Sequence, residues 1–293
     1  MRGGIENDLY AFTKGRRYPL TEYLNFVESY CFAAKYPLNM SVLQHLSGLY
    51  SFMYYSKSDL RNNVQRLLKE YGIELLKQVG WIRSGRESTI TTKMRSAAIF
   101  AAGLTGDATT IHKAGKLFSM AMEGKRAIEP NLRSAVYGTV AFHGNADIFD
   151  MLVKKYKAEE IPEDKIRYLQ SLGMFNDEAI AKKALDFSMS KEVRYQDGIM
   201  IPSVVSSRPV GRKLIWNWTK KNWHALSSKY LPGTYLLSYF IDNLAVAQDE
   251  KTLKDIGSFF RKKANTREDI TRALKQANEI ATINIRFLKE NGV

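Results

Sequence analysis

Cys31 is the only cysteine in a chain of 293 residues. An internal disulfide is therefore excluded, and so is a structural zinc site built on paired thiolates. Histidine is scarce as well. His45, His112, His143 and His224 are the full set; none is followed by Glu, and no two stand three to five residues apart. That spacing excludes HExxH and any other local zinc pair. The phosphate loop GxxxxGK[ST], the dinucleotide fingerprint GxGxxG and the hydrolase elbow GxSxG are missing too. Proline occurs only seven times, and strand-like alternation is hard to find. The longest apolar run with small residues, AAIFAAGL from Ala97, is too short to cross a bilayer. The opening MRGGIENDLYAF is polar and acidic, unlike a signal peptide. Cys31, in ESYCFAAKY, reads as a buried structural residue rather than a nucleophile. The expectation is a cytoplasmic chain with no membrane partner and neither catalytic constellation nor cofactor of its own.

What is present is helical periodicity. Asp59 to Val79 carries Leu60, Val64, Leu67, Leu68, Tyr71 and Leu75 at helical spacing, and Asp107 to Met122 carries Ile111, Ala114, Leu117, Phe118 and Met122. Near the C-terminus, Thr266 with Asp269 reads as a capping box ahead of the stripe Ile270, Ala273, Leu274, Ala277, Ile280 and Ala281. Short polar residues precede other helical runs: Asp107, Asn145, and Asn176 with Asp177. These starts recur every 30 to 40 residues or so, the length of one helix-turn-helix unit. With no Gly-, Ser- or Pro-rich linker, residues 1–293 read as a single all-α domain, an α-solenoid superhelix of HEAT- or armadillo-like helix pairs.

The charge is strongly one-sided: 44 Lys plus Arg against 30 Asp plus Glu, a formal net charge of +14. Such a balance favours an anionic partner. The densest chemistry lies in VRYQDGIMIPSVVSSRPVGRKLIWNWTKKNW, from Val193 to Trp223. Arg194 and Asp197, three apart, share a helical face and pair there as a structural ion pair. Pro209 suits the first turn of a helix. Beyond it, Leu214, Ile215, Trp216, Trp218, Trp223 and Leu226 spread over an arc of about 200°. An arc that wide places the tryptophans in a core rather than on a base-stacking platform, which disfavours nucleic acid.

That stretch is similar to the R-x-Q-D … P-x-G-R-x-x-x-W … N-W signature near the end of the gluzincin zinc aminopeptidases. This family includes puromycin-sensitive aminopeptidase and the archaeal tricorn-interacting aminopeptidase factors. The matching residues are Arg194, Gln196, Asp197, Pro209, Gly211, Arg212, Trp216, Asn222 and Trp223. GIENDLYAFTKG, from Gly4 to Gly15, resembles the opening of the same domain, and GSFFRKKA and the closing helix are also alike. The resemblance implies the C-terminal helical domain of a larger zinc aminopeptidase, one that encloses the substrate chamber and trims peptides from the N-terminus. The zinc would sit in a catalytic domain outside these residues. The implied partners are that domain, peptide substrates and, from the archaeal members, a tricorn-type protease. Two departures stand out: Arg208 where some members have Asn, and Tyr239 after Ser238 where several have Arg. Arg208 and Arg212 are the candidates for holding a peptide carboxylate, because a helix N-terminus favours anions and a guanidinium adds a bidentate donor. Two other readings stay open: a free-standing helical-repeat adaptor and a basic helical-repeat nucleic-acid binder.

Overall fold

The computed structural model describes residues 2–30, 36–83, 85–230, 235–244, 249–262 and 267–292. Among them are fifteen α-helices and no strand. The expectations for Cys31 and for Thr266 as a cap fall outside the described residues. The described chain divides into two compact units, one of Met1–Phe142 with Phe287–Val293, the other of His143–Arg286. Among the described residues no helix is long and apolar enough to cross a membrane.

The first unit holds α1 (Arg2–Lys14), α2 (Leu20–Tyr30), α3 (Tyr36–Met53), α4 (Asp59–Val79), α5 (Thr89–Leu104), α6 (Ala108–Met122) and α7 (Arg133–Phe142). Several starts are set by short polar side chains that accept from a free backbone N–H: Ser58 from Arg61, Ser88 from Thr91 and Asp107 from Thr110. From α3 to α7, helices pack on neighbours one place along the chain, and α5 also packs on α3 and α7. The α5 stretch AAIFAAGL makes this close. Ala98, Ile99, Ala101 and Ala102 are buried, and a Cβ on Gly103 would stand 2.5 Å from the Thr139 methyl. Arg95 on α5 is fully buried. Its guanidinium donates to the Val79 carbonyl (2.8 Å), the Gly80 carbonyl (2.8 Å) and both oxygens of Glu87 (2.7 and 2.8 Å). It therefore fastens both ends of the 80–88 connection to one helix.

The second unit holds α8 (Ala146–Ala158), α9 (Pro162–Leu172), α10 (Glu178–Ser188), α11 (Met200–Ser207), α12 (Pro209–Lys229), α13 (Tyr235–Leu244), α14 (Glu250–Phe260) and most of α15 (Glu268–Glu290). Asn145 caps α8, Asp177 caps α10 and Asp249 caps α14. Of the Asn176–Asp177 pair, then, Asp177 is the cap. Packing again joins neighbours one and two places apart, as in α10 on α11 and α12, and α11 on α9, α12 and α13. On α15 the buried stripe is Ile270, Ala273, Ala277, Ala281, Asn284 and Phe287. Ile280, expected on that face, is 46% exposed instead, while Ala277 and Ala281 on either side of it are buried.

Candidate functional site

The signature residues gather where α10, α11 and α12 meet. Arg194 Nε donates to Asp197 Oδ2 at 2.6 Å. The expected helical face is absent: residues 194–199 form a hydrogen-bonded turn, with the Asp197 and Gly198 amides donating to the Arg194 carbonyl. The turn sets Gly198 so close to its neighbours that only glycine fits. A Cβ there would stand 2.8 Å from both the Ser188 carbonyl oxygen and the Tyr230 hydroxyl, and 3.0 Å from Lys229 Nζ. Lys229 Nζ itself donates to the Ser188 carbonyl (3.0 Å), and burial holds this amine below its ordinary value. Burial, reinforced by the charges of Tyr195 and Asp197, pushes the Tyr230 phenol well up. Asp197 is buried while Arg194 is exposed, so the pair's main effect is to neutralise a carboxylate that the fold has taken out of water. Gln196 lies exposed beside it.

Eight residues of α11 then lead into α12 through Arg208, which ends the first helix and precedes Pro209, the first residue of the second. Gly211 lies directly against the Val205 carbonyl, and an added Cβ would overlap it. This approach brings Arg208 and Arg212 together around one residue. Arg208 Nε donates to Ser207 Oγ (3.2 Å), and Arg212 Nη2 donates to the Ser207 carbonyl (3.4 Å). Arg208 is half-buried and, among the described residues, has no carboxylate within ion-pair distance. Burial pushes its guanidinium down to about 10. A cation with no counter-charge, next to the free amides of a helix start, is a place that favours an anion.

The tryptophans do something else. Trp216 and Trp223 are each 5% exposed, whereas Trp218 is half-buried. Trp216 meets the Phe259 ring edge-on at 5.3 Å, and Trp223 meets Phe260 at 4.8 Å. Trp216 Nε1 donates to Asp255 Oδ2 at 2.7 Å, where Lys220 Nζ also donates at 2.6 Å. These contacts hold α14 on α12. Asn222 Nδ2 donates to the Trp218 carbonyl one turn back.

A second polar cluster lies on α1, α2 and α3. Glu6 is fully buried. It accepts from Tyr23 Oη (2.6 Å) and from Ser41 Oγ, and its Oε1 lies 2.7 Å from His45 Nδ1. The His45 ring stacks on Tyr10 with centroids 3.7 Å apart. Burial works to raise the Glu6 carboxyl, but the hydrogen bonds of His45, Ser41 and Tyr23 outweigh it and the net direction is down. Burial and the Glu6 charge push the Tyr10 phenol up to about 12. Glu6 with Tyr10 and Ser41 with His45 are each one helical turn apart, but nothing in the sequence links the two pairs or brings in Tyr23, so only the packing of α1, α2 and α3 could reveal the cluster. Among the described residues no group of three or more His, Cys, Asp or Glu side chains could hold a metal ion. These described residues therefore do not fit zinc.

The fold and the corner define an all-helical domain whose signature residues mainly fix a helix junction. The ERAP1-like C-terminal domain matches residues 1–283, and the chain belongs to that family. It is 28% identical to Aminopeptidase M1-B of Oryza sativa subsp. japonica over 294 residues, 98% of this chain and 33% of that protein. It is 26% identical to Aminopeptidase M1 of Arabidopsis thaliana over 299 residues, again 98% and 33%. With Aminopeptidase 2, mitochondrial, of Saccharomyces cerevisiae it shares 22% identity over 302 residues, 99% of this chain and 32% of that protein. The chain thus spans about a third of the length of the relatives it matches.

Proposed function

We propose that this chain is the substrate-enclosing C-terminal domain of a zinc aminopeptidase, cytoplasmic, with the zinc and the hydrolytic machinery in a catalytic domain outside these residues. The observation that carries the reading is family membership over nearly the whole chain, together with relatives named aminopeptidase that are about three times as long. The corner has a chemical part in it. Arg208, half-buried and without a counter-ion among the described residues, stands with Arg212 at the start of α12 and would take the carboxylate of a long peptide. A charge-assisted hydrogen bond of that kind contributes about 1.5–3 kcal/mol.

The test uses the aminopeptidase that carries this domain. Arg208→Ala should lower kcat/KM for long peptides by about tenfold or more, and leave single-residue aminoacyl-amide substrates nearly unchanged. The chain alone, with or without added zinc, should hydrolyse neither. An equal loss on both substrate classes would assign Arg208 to the fold instead, and chelator-sensitive turnover by the chain alone would defeat the reading of a non-catalytic domain.

A further inference from the structure

The facing sides of α14 and α15 form a groove that shares no residue with the Arg208–Arg212 corner. On α14, Glu250, Leu253, Lys254, Gly257, Ser258 and Arg261 recur at helical spacing; on α15, Leu274, Lys275, Asn278, Ile285 and Arg286 do the same. They line two cavities of about 610 and 550 Å³ that share Leu253, Gly257, Arg261 and Asn278. At 1.5 Å per residue the lining stripes run for roughly 16 Å from Glu250 to Arg261 and roughly 22 Å from Thr271 to Arg286.

Three properties of the groove point to one kind of occupant. Of its aliphatic side chains Ile256 is buried, while Leu253, Leu274 and Ile285 remain half-exposed. Gly257 keeps the middle open, since a Cβ there meets nothing within 4 Å. Lys254, Arg261, Lys275 and Arg286 border it, all exposed, and none has a carboxylate within ion-pair distance among the described residues. Arg267 also lines the groove, but Asp269 and the Ser227 and Tyr230 carbonyls already hold it. Among the described residues Glu250 is the one acidic residue of the lining. The opposite side of α14 is engaged, with Asp255 and Phe259 on α12, so among the described residues α14 presents this side open.

We infer that the groove docks an acidic amphipathic helix of a partner protein. The helix's apolar face packs on Leu253, Leu274 and Ile285, and its carboxylates meet the four cations. This is the helix-in-groove mode, with anchors repeating every three to four residues. A nucleic acid would use the cations and leave the aliphatic floor without a role.

The probe is a fluorescein-labelled helical peptide of about fifteen residues, matched to the α15 stripe at 1.5 Å per residue, with Leu at every third or fourth position and Glu elsewhere. Its controls are the same peptide with Lys for Glu and a labelled single-stranded oligonucleotide. Anisotropy should show the Glu peptide binding and the Lys peptide not. Gly257→Phe, which fills the groove from an open position, and the double reversal Lys254→Glu/Arg286→Glu should each weaken binding at least about tenfold, ~1.4 kcal/mol, with unchanged melting temperatures. Undiminished binding to the Gly257→Phe protein would overturn the proposal. So would an oligonucleotide that binds as tightly as the Glu peptide, because the groove would then be only a basic surface.

Discussion

An added methyl at Gly211 has nowhere to go, because the Val205 carbonyl already occupies the space. Either α11 and α12 separate or the backbone of one bends, and overpacking of this kind costs about 1–3 kcal/mol or more. Gly211→Ala should therefore lower the urea midpoint clearly. Gly115→Ala, on α6 with nothing within 4 Å of the new Cβ, should raise stability by about 0.5–1 kcal/mol through the better helix former. If the two substitutions behave alike, the close approach at Gly211 is not what the P-x-G-R stretch provides. At this scale much of the corner was legible: Pro209 at a helix start and Arg194 with Asp197 as a pair both follow from residue type and spacing. The turn at 194–199 was not, because Gly198 is bare on account of Ser188, Lys229 and Tyr230, which are distant in sequence.

Among the elements, α14 depends on α12 most visibly. It has eleven residues, too short to be stable as an isolated helix. Its attachment is the aromatic cluster of Trp216, Trp223, Phe259 and Phe260, with the Asp255 carboxylate bridging Trp216 and Lys220. Trp223→Ala should cost about 3–5 kcal/mol, as expected for a buried aromatic replaced by a small residue. The near-ultraviolet circular dichroism of the ring cluster should fade with it. An unchanged melting temperature would mean that α14 is held by something else. The wide apolar arc on α12 foretold the burial of Trp216 and Trp223, and periodicity placed α4 at Asp59–Val79. It could not show that α14 presents one side to α12 and leaves the other open, since both sides carry apolar residues.

For the molecule as a whole, acid is the condition most directly tied to an observed geometry. The Glu6 carboxyl is lowered from 4.5 in the folded state. A lowered folded-state pKa contributes stability that is fully present above the ordinary value and is lost as pH falls through the folded value. Melting temperature should therefore drop as pH is taken below about 4.5, and the Glu6→Gln protein, less stable at neutral pH, should show a shallower acid limb. Parallel acid limbs in the two proteins would mean that Glu6 titrates no differently folded than unfolded. Nothing in the opening GIENDLYAFTKG signals this role, because Tyr23, Ser41 and His45 reach the carboxylate only once three helices have packed.

Arg95 has a consequence of a practical kind. It ties Val79 and Gly80 at one end of the α4–α5 connection and Glu87 at the other, so the ends stay fixed whatever lies between them. Ile82 is 71% exposed, and Arg83, Gly85 and Arg86 are exposed as well. Lengthening a loop whose ends are already anchored costs only about 0.6 kcal/mol per doubling. A tag or a small foreign domain spliced in beside Gly85 would leave the helix pair intact, making this connection the natural port for attaching cargo to the chain.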